Sequence, residues 1–204
     1  MKLDLKEEKN VWFILGLFGI SYLTVLLLHW LEHFLPLSIQ ENIKLLHYFT
    51  LPPIFILWLN LFSKYLWKWK VWKFLGIIDF PNISGTYKGT FKSSFIDKET
   101  GKNYVGDMEL QVFQTASNIK VMGKFNQSQS ISTQASFGFN EIENKNCLYY
   151  FFKNKPGNNA TETMHSHEGS CILCFDEENN ELKGEYYSGR DRNNYGDIEV
   201  KKLT

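Results

Sequence analysis

Arginine is almost absent. Two of the 204 residues are arginine, both within the stretch Tyr186-Tyr-Ser-Gly-Arg-Asp-Arg192, against twenty lysines, a surplus that reads as coding bias. Cysteine is scarce too: three residues are too few, and odd in number, for the disulfide framework of a small secreted domain. Net charge is missing, with 22 basic and 22 acidic residues, which excludes a generally basic binder of DNA or RNA polymers and an acidic tail protein. Sequons stand at Asn82, Asn126 and Asn159, but nothing else in the sequence speaks for a glycosylating pathway. There is no Gly-x-Ser-x-Gly elbow, no phosphate-cradling P-loop and no His-Glu-x-x-His helix. Carboxylates such as Glu168 and Glu185 pair only on paper, so no catalytic role and no cofactor is expected.

What is present divides in two. Residues 1–78 carry eight lysines against five acids and are largely apolar and aromatic, whereas residues 79–204 are net acidic, polar and alternating. Residues 11–31 form an uncharged run of 21. As a helix it reaches about 31 Å, the thickness of a hydrocarbon core of ~30 Å. It is too long for a signal peptide, and His29-Trp30-Leu31-Glu32 offers no small-residue cleavage site. Residues 45–63 are a second uncharged run with Pro52-Pro53 inside it, expected to kink a second span. The link between them is short, so an antiparallel two-helix transmembrane anchor is expected over residues 1–78.

Lysine counts orient it. Lys2, Lys6 and Lys9 precede the first run and Lys64, Lys68, Lys70 and Lys73 follow the second, with only Lys44 in the link. That asymmetry places the N-terminus and everything after the anchor in the cytoplasm. Trp67, Trp69 and Trp72 interleave with the trailing lysines, a pattern suited to lying along the anionic lipid of the inner leaflet.

From Ser84 the period becomes two. Tyr87, Gly89, Phe91 and Phe95 alternate with Lys88, Thr90 and Lys92; Met108, Leu110 and Val112 alternate with Asp107, Glu109 and Gln111; Ile119, Val121, Gly123 and Phe125 alternate with Lys120 and Lys124. Further strands are expected at 131–140, 147–153, 165–176, 181–190 and 195–203, separated by turn signals rich in Asn, Gly and Glu. Eight short strands with short connections predict an all-β domain over residues 79–204, closing as an eight-stranded up-and-down antiparallel β-barrel that leaves no unpaired edge. Gly89, Gly123, Gly169 and Gly184 fall on its inner face, where they serve barrel corners or leave room for one small ligand.

Two clusters could carry chemistry. His165-Ser-His167-Glu-Gly-Ser-Cys171-Ile-Leu-Cys174 holds zinc-type ligands, but on a strand Cys171 and Cys174 face opposite sides, so no metal is expected and the cysteines read as small core residues. Along residues 181–190, Leu182, Gly184, Tyr186, Ser188 and Arg190 share one face, and Leu182 turns that face inward. An arginine there suits a phosphate through bidentate bonds, and a tyrosine ring can stack on a base. The competing reading pairs Arg190 with a surface acid such as Asp191 or Asp197.

The opening Phe80-Pro-Asn-Ile-Ser-Gly85-Thr-Tyr87-Lys-Gly89, directly after the membrane segment, and the closing Tyr-Tyr-Ser-Gly-Arg…Gly196-x-Ile198-x-Val200 resemble the two-transmembrane β-barrel effectors of CBASS anti-phage defence. Tyr87 stands where that family's opening favours Trp, keeping a ring but adding a hydroxyl that must find a partner. The resemblance implies a non-enzymatic effector in the bacterial inner membrane whose barrel binds a cyclic dinucleotide made by a partner nucleotidyltransferase. It further implies that ligand drives homo-oligomerisation and membrane disruption that kills the infected cell. Ligand-binding residues expected on that basis and on the strand-face pattern are Tyr87, Tyr186, Ser188, Arg190 and Arg192. The rival is a membrane-tethered, lipocalin-like carrier of an apolar ligand, with an interior lined by Phe91, Phe125, Phe137 and Leu173.

Overall fold

The computed structural model describes residues 8–34, 36, 50–78, 80–97, 100–126, 128–157, 166–189 and 193–203. The chain divides into two compact units, one over Lys2–Asp79 and one over Phe80–Thr204.

The first unit is helical. Helix α1 runs Glu8–Glu32 and is apolar on all sides. Its polar side chains turn back on their own backbone: Ser21 Oγ donates to the Leu17 carbonyl at 2.6 Å and Thr24 Oγ1 to that of Ile20 at 2.8 Å. This removes unmet hydroxyls from an apolar surface. Helix α2, Leu51–Lys64, packs against it: Phe13 meets Phe62 at 4.5 Å between centroids, Phe18 meets Phe55 at 6.0 Å, and Trp58 Nε1 donates to Thr24 Oγ1 at 3.1 Å.

Of the expected pair of spans, the first is clear and the second shorter than expected. Among the described residues one helix, across Asn10–Glu32, is long and apolar enough to cross a membrane. With 14 residues α2 reaches about 21 Å, short of a ~30 Å core; residues 45–49 lie outside the described residues. Pro52 and Pro53 do not kink a longer helix but open this one, in the first turn, where a missing N–H costs nothing. The indoles also divide. Of the three that interleave with lysines, Trp67 is buried, Trp72 packs against Phe13 and Phe62 with its Nε1 donating to the Leu66 carbonyl at 2.7 Å, and Trp69 stays exposed. A 3-10 turn at Leu66–Lys68 and the short α3, Lys70–Phe74, make this fold-back.

The second unit is all β. Strands β1 Gly85–Ile96, β2 Asn103–Gln114, β3 Ile119–Phe125, β4 Ser128–Asn140, β5 Lys145–Pro156, β6 His167–Asp176, β7 Glu181–Ser188 and β8 Tyr195–Lys202 pair antiparallel in sequence order and close β1 on β8. The period-two pattern explains it: Met108, Leu110 and Val112, Leu148, Tyr150 and Phe152, Leu173 and Phe175, and Ile198 and Val200 all turn into one core. The outer face carries ion pairs across strands, Lys88–Glu109–Lys124 and Glu181–Lys183–Glu199. Asn144 and Asn180 take left-handed backbone at the β4–β5 and β6–β7 turns, as the asparagine-rich turn signals require.

Close approach explains two inner glycines. A Cβ at Gly89 would strike the Glu199 carbonyl of β8, and one at Gly184 the Ile172 carbonyl of β6, so both serve barrel curvature. Two further expectations change. Pairing shifts between Lys92 and Ile96, and Phe95 is turned out to solvent in place of the inner face. Cys147 and Cys174 are directly opposed on β5 and β6 and joined by a disulfide on the outer face, leaving Cys171 alone as a small core residue.

Candidate functional site at the polar mouth of the barrel

In an up-and-down barrel, alternate connections collect at the same end. Connections β1–β2, β3–β4, β5–β6 and β7–β8 gather at one end, the mouth; the other connections and both chain ends of the barrel lie at the base.

The inner face changes character from base to mouth. At the base Ile83, Tyr87, Leu110, Val121, Leu148, Leu173, Leu182 and Val200 are sealed, none above 1% exposed. The Tyr87 hydroxyl donates to the Ile83 carbonyl at 2.8 Å, which supplies the partner its extra oxygen needs. Burial pushes its pKa up to about 12. Gln114 pins the segment leading into β1, accepting from Ile83 N at 2.8 Å and donating to the Pro81 carbonyl at 3.3 Å. Higher up, Cys171 lies against Tyr150, and burial raises its thiol pKa to about 12, so it is held as the inert thiol.

An aromatic floor follows. Phe91 meets Phe125 edge-on at 5.2 Å and Tyr186 at 6.4 Å. Above it the inner face turns polar: Ser93, Ser128, Ser130, Asn154 and His167 are all buried, between 5 and 8% exposed. Ser130 pairs with Asn154 across β4 and β5, and Asn154 with His167 across β5 and β6, so three of them form one row. Asn154 Nδ2 donates to Ser128 Oγ at 3.2 Å, whereas its Oδ1 is buried with no hydrogen-bond partner. His167 stands edge-on to Phe152 at 6.4 Å. None of the buried polar residues of the barrel is an acid, so an anion at the mouth meets no buried negative charge among the described residues.

The residues expected from sequence divide between the two ends. Tyr186 and Ser188 come together at the mouth. Tyr186 lies between Gly196 of β8 and Cys171 of β6, and Ser188 opposite Gly169, with its backbone N donating to Asn194 at 2.7 Å. Tyr87 lies at the base, six positions along β1 from Ser93, roughly 20 Å away. Arg190 and Arg192 lie outside the described residues; the residues flanking them are fixed, with Gly189 N donating to Glu168 at 2.6 Å and Asn193 N to Gly189 at 3.2 Å. No three His, Cys, Asp or Glu gather for a metal among the described residues; His165 is outside them.

Ser128, Ser130, Asn154 and His167 are additions. Their signal was parity: Asn154 continues the inward series Leu148, Tyr150, Phe152, and His167 continues Leu173, Cys171, Gly169. A shallow cleft also opens at the base beside Phe80, Gln114, Ala116, Ile119 and Phe137. Gln114 there already uses both ends of its amide, so the mouth, with an orphan acceptor, has the stronger chemistry for a ligand.

Residues 78–202 match a family model described as the Cap15 cyclic dinucleotide receptor domain. The chain belongs to the Cap15 family. No curated protein matches it. The match covers every strand of the barrel and agrees with the resemblance carried by the opening and closing motifs. A Cap15 barrel is thus a ligand-sensing domain for a cyclic dinucleotide. In this Cap15 chain the base is filled by packed side chains, and the polar ring stands at the mouth.

Proposed function

We propose that this chain is a membrane-anchored effector of CBASS anti-phage defence, switched on when a cyclic dinucleotide from a partner nucleotidyltransferase enters the barrel mouth. The observation that carries this reading is the family match over residues 78–202. Arg190 and Arg192 bind phosphate, Ser188 supports them, and Tyr186 offers its ring to a base from the aromatic floor. Tyr87 acts from the base, holding the shape of the barrel through its bond to Ile83. The N-terminus and barrel face the cytoplasm, in keeping with the lysine asymmetry. Bound ligand favours association of barrels, clusters their helices and breaches the inner membrane. Ligand can drive assembly only by binding the assembled form better than the monomer.

The test uses the full chain in detergent, in a thermal-shift screen of cyclic dinucleotides against linear ones, followed by the same protein in dye-loaded vesicles. One cyclic species should raise the melting temperature, equivalent to about 2.7 kcal/mol at a hundredfold excess over Kd, and trigger dye release. Arg190→Ala should remove both responses. No shift with any cyclic species from folded protein overturns the reading.

A further inference from the structure

Among the described residues the inner face of the barrel carries two buried side-chain amides, and they differ in one respect. Gln114, at the base, is satisfied at both ends. Asn154, at the mouth, is 7% exposed and donates to Ser128 Oγ, yet its Oδ1 has no partner. A buried acceptor without a protein donor is costly, and water or a ligand has to complete it. Its neighbours are hydroxyls and an imidazole, Ser128, Ser130 and His167, with Phe152 beside the imidazole.

What an orphan acceptor selects follows from its sign. A carbonyl oxygen repels phosphate oxygens and the unprotonated ring nitrogens of a base, and it attracts N–H. In a 3′,3′-cyclic dinucleotide the phosphates bear only acceptors; the donors are the N–H of each base edge and the ribose 2′-hydroxyls, and methylation at the base edge tells the two apart. We propose that the Ser130–Asn154–His167 wall is a base-reading subsite in which Asn154 Oδ1 accepts a hydrogen bond from the edge N–H of one base of the cyclic dinucleotide. This rests on the receptor reading above and fixes the ligand's orientation within it. One base turns to the β4–β5–β6 wall, and the phosphates turn to the β7–β8 side, where Ser188 ends its strand.

The experiment measures Kd for the full chain in detergent with 3′,3′-cyclic dinucleotides covering the four RNA bases, in wild type, Asn154→Ala and Asn154→Asp. The tightest binder is then compared with analogues in which every edge N–H of one base, and then of the other, is replaced by methyl. Binding of one species by wild type, weakened roughly tenfold or more by Asn154→Ala, supports the subsite. Methylation of one base should weaken wild type similarly and Asn154→Ala little. Asn154→Asp keeps an acceptor of the same shape but sets a carboxylate beside an anionic ligand, so its readout is the ratio of affinities for unmethylated and methylated ligand, which should stay as large as in wild type. The melting temperature of unliganded Asn154→Ala is measured alongside, because the change removes an unsatisfied acceptor but also the bond to Ser128 Oγ. If wild type binds a cyclic dinucleotide and Asn154→Ala binds it equally, the subsite is wrong and the receptor reading stands. If wild type binds none, the receptor reading itself fails. Should Asn154→Ala not fold, the methylated analogues decide: equal binding of every one by wild type overturns the subsite.

Discussion

Asn154 and His167 face each other across β5 and β6 on the inner wall, both more than nine-tenths buried, at the end of the barrel where its side chains change from apolar to polar. His167 opens β6 and Asn154 stands two residues before the end of β5, so the pair lies where the wall meets the rim. The wall beneath is packed and the rim is polar, a division suited to orienting a ligand at the mouth.

Tyr87→Phe should cost about 1–2 kcal/mol of stability, because the Ile83 carbonyl loses its buried donor. Chemical denaturation measures it. Affinity for a cyclic dinucleotide should stay near wild type if Tyr87 acts from the base, and a large loss would return its ring to the ligand.

The barrel should weaken in alkali. Tyr87 ionises near 10 when unfolded and at about 12 when folded, and Cys171 is likewise raised to about 12. A folded state that holds its protons more tightly than the unfolded chain has the full benefit below the unfolded values and loses it as pH rises through the folded ones. Stability followed from pH 8 to 12 should therefore fall from about pH 9–10 upward, and Tyr87→Phe should make the fall shallower.

Cys147 and Cys174 close a loop of 27 positions. Cys147→Ser, or a strong reductant, should lower stability by roughly 2–4 kcal/mol if the bond is formed in the purified protein. Alkylation with mass spectrometry, before and after reduction, counts the free thiols. Protein trapped directly from a reducing cytoplasm should show more free thiol than protein exposed to air.

Gly184→Ala should destabilise the barrel by about 1–3 kcal/mol through collision with the Ile172 carbonyl. Gly101→Ala, in a turn with open space around it, suffers only from its left-handed φ of 66°. Melting temperatures of the two variants separate crowding from backbone strain.

Strand existence was legible because each inner series alternates with charge, as Met108, Leu110 and Val112 do with Asp107, Glu109 and Gln111. Closure followed from short connections. Strand ends were harder. Parity reading stopped β5 at Lys153 and began β4 at Ile131, one residue short of Asn154 and just past Ser128 and Ser130, because inward polar residues at a strand end look like the start of a turn. The Cys147–Cys174 bond needed the β5–β6 register, which one strand alone does not contain. Pro52-Pro53 reads as a kink within an apolar run and as a start signal only once the helix boundary is known. Tyr87 and Tyr186 share an inward parity, which tells the side of a wall but not the height along it.

The backbone N of Leu203 donates to the Thr86 carbonyl at 2.8 Å, tying the last strand to the first where the barrel begins. The wall is thus fastened by its own two loose edges at the end away from the rim. Leu203 lies at the end of the barrel away from the opening. A fluorescent reporter appended there should therefore be carried without dulling the response to a cyclic dinucleotide, whereas the same insertion in the β5–β6 connection would sit in the doorway.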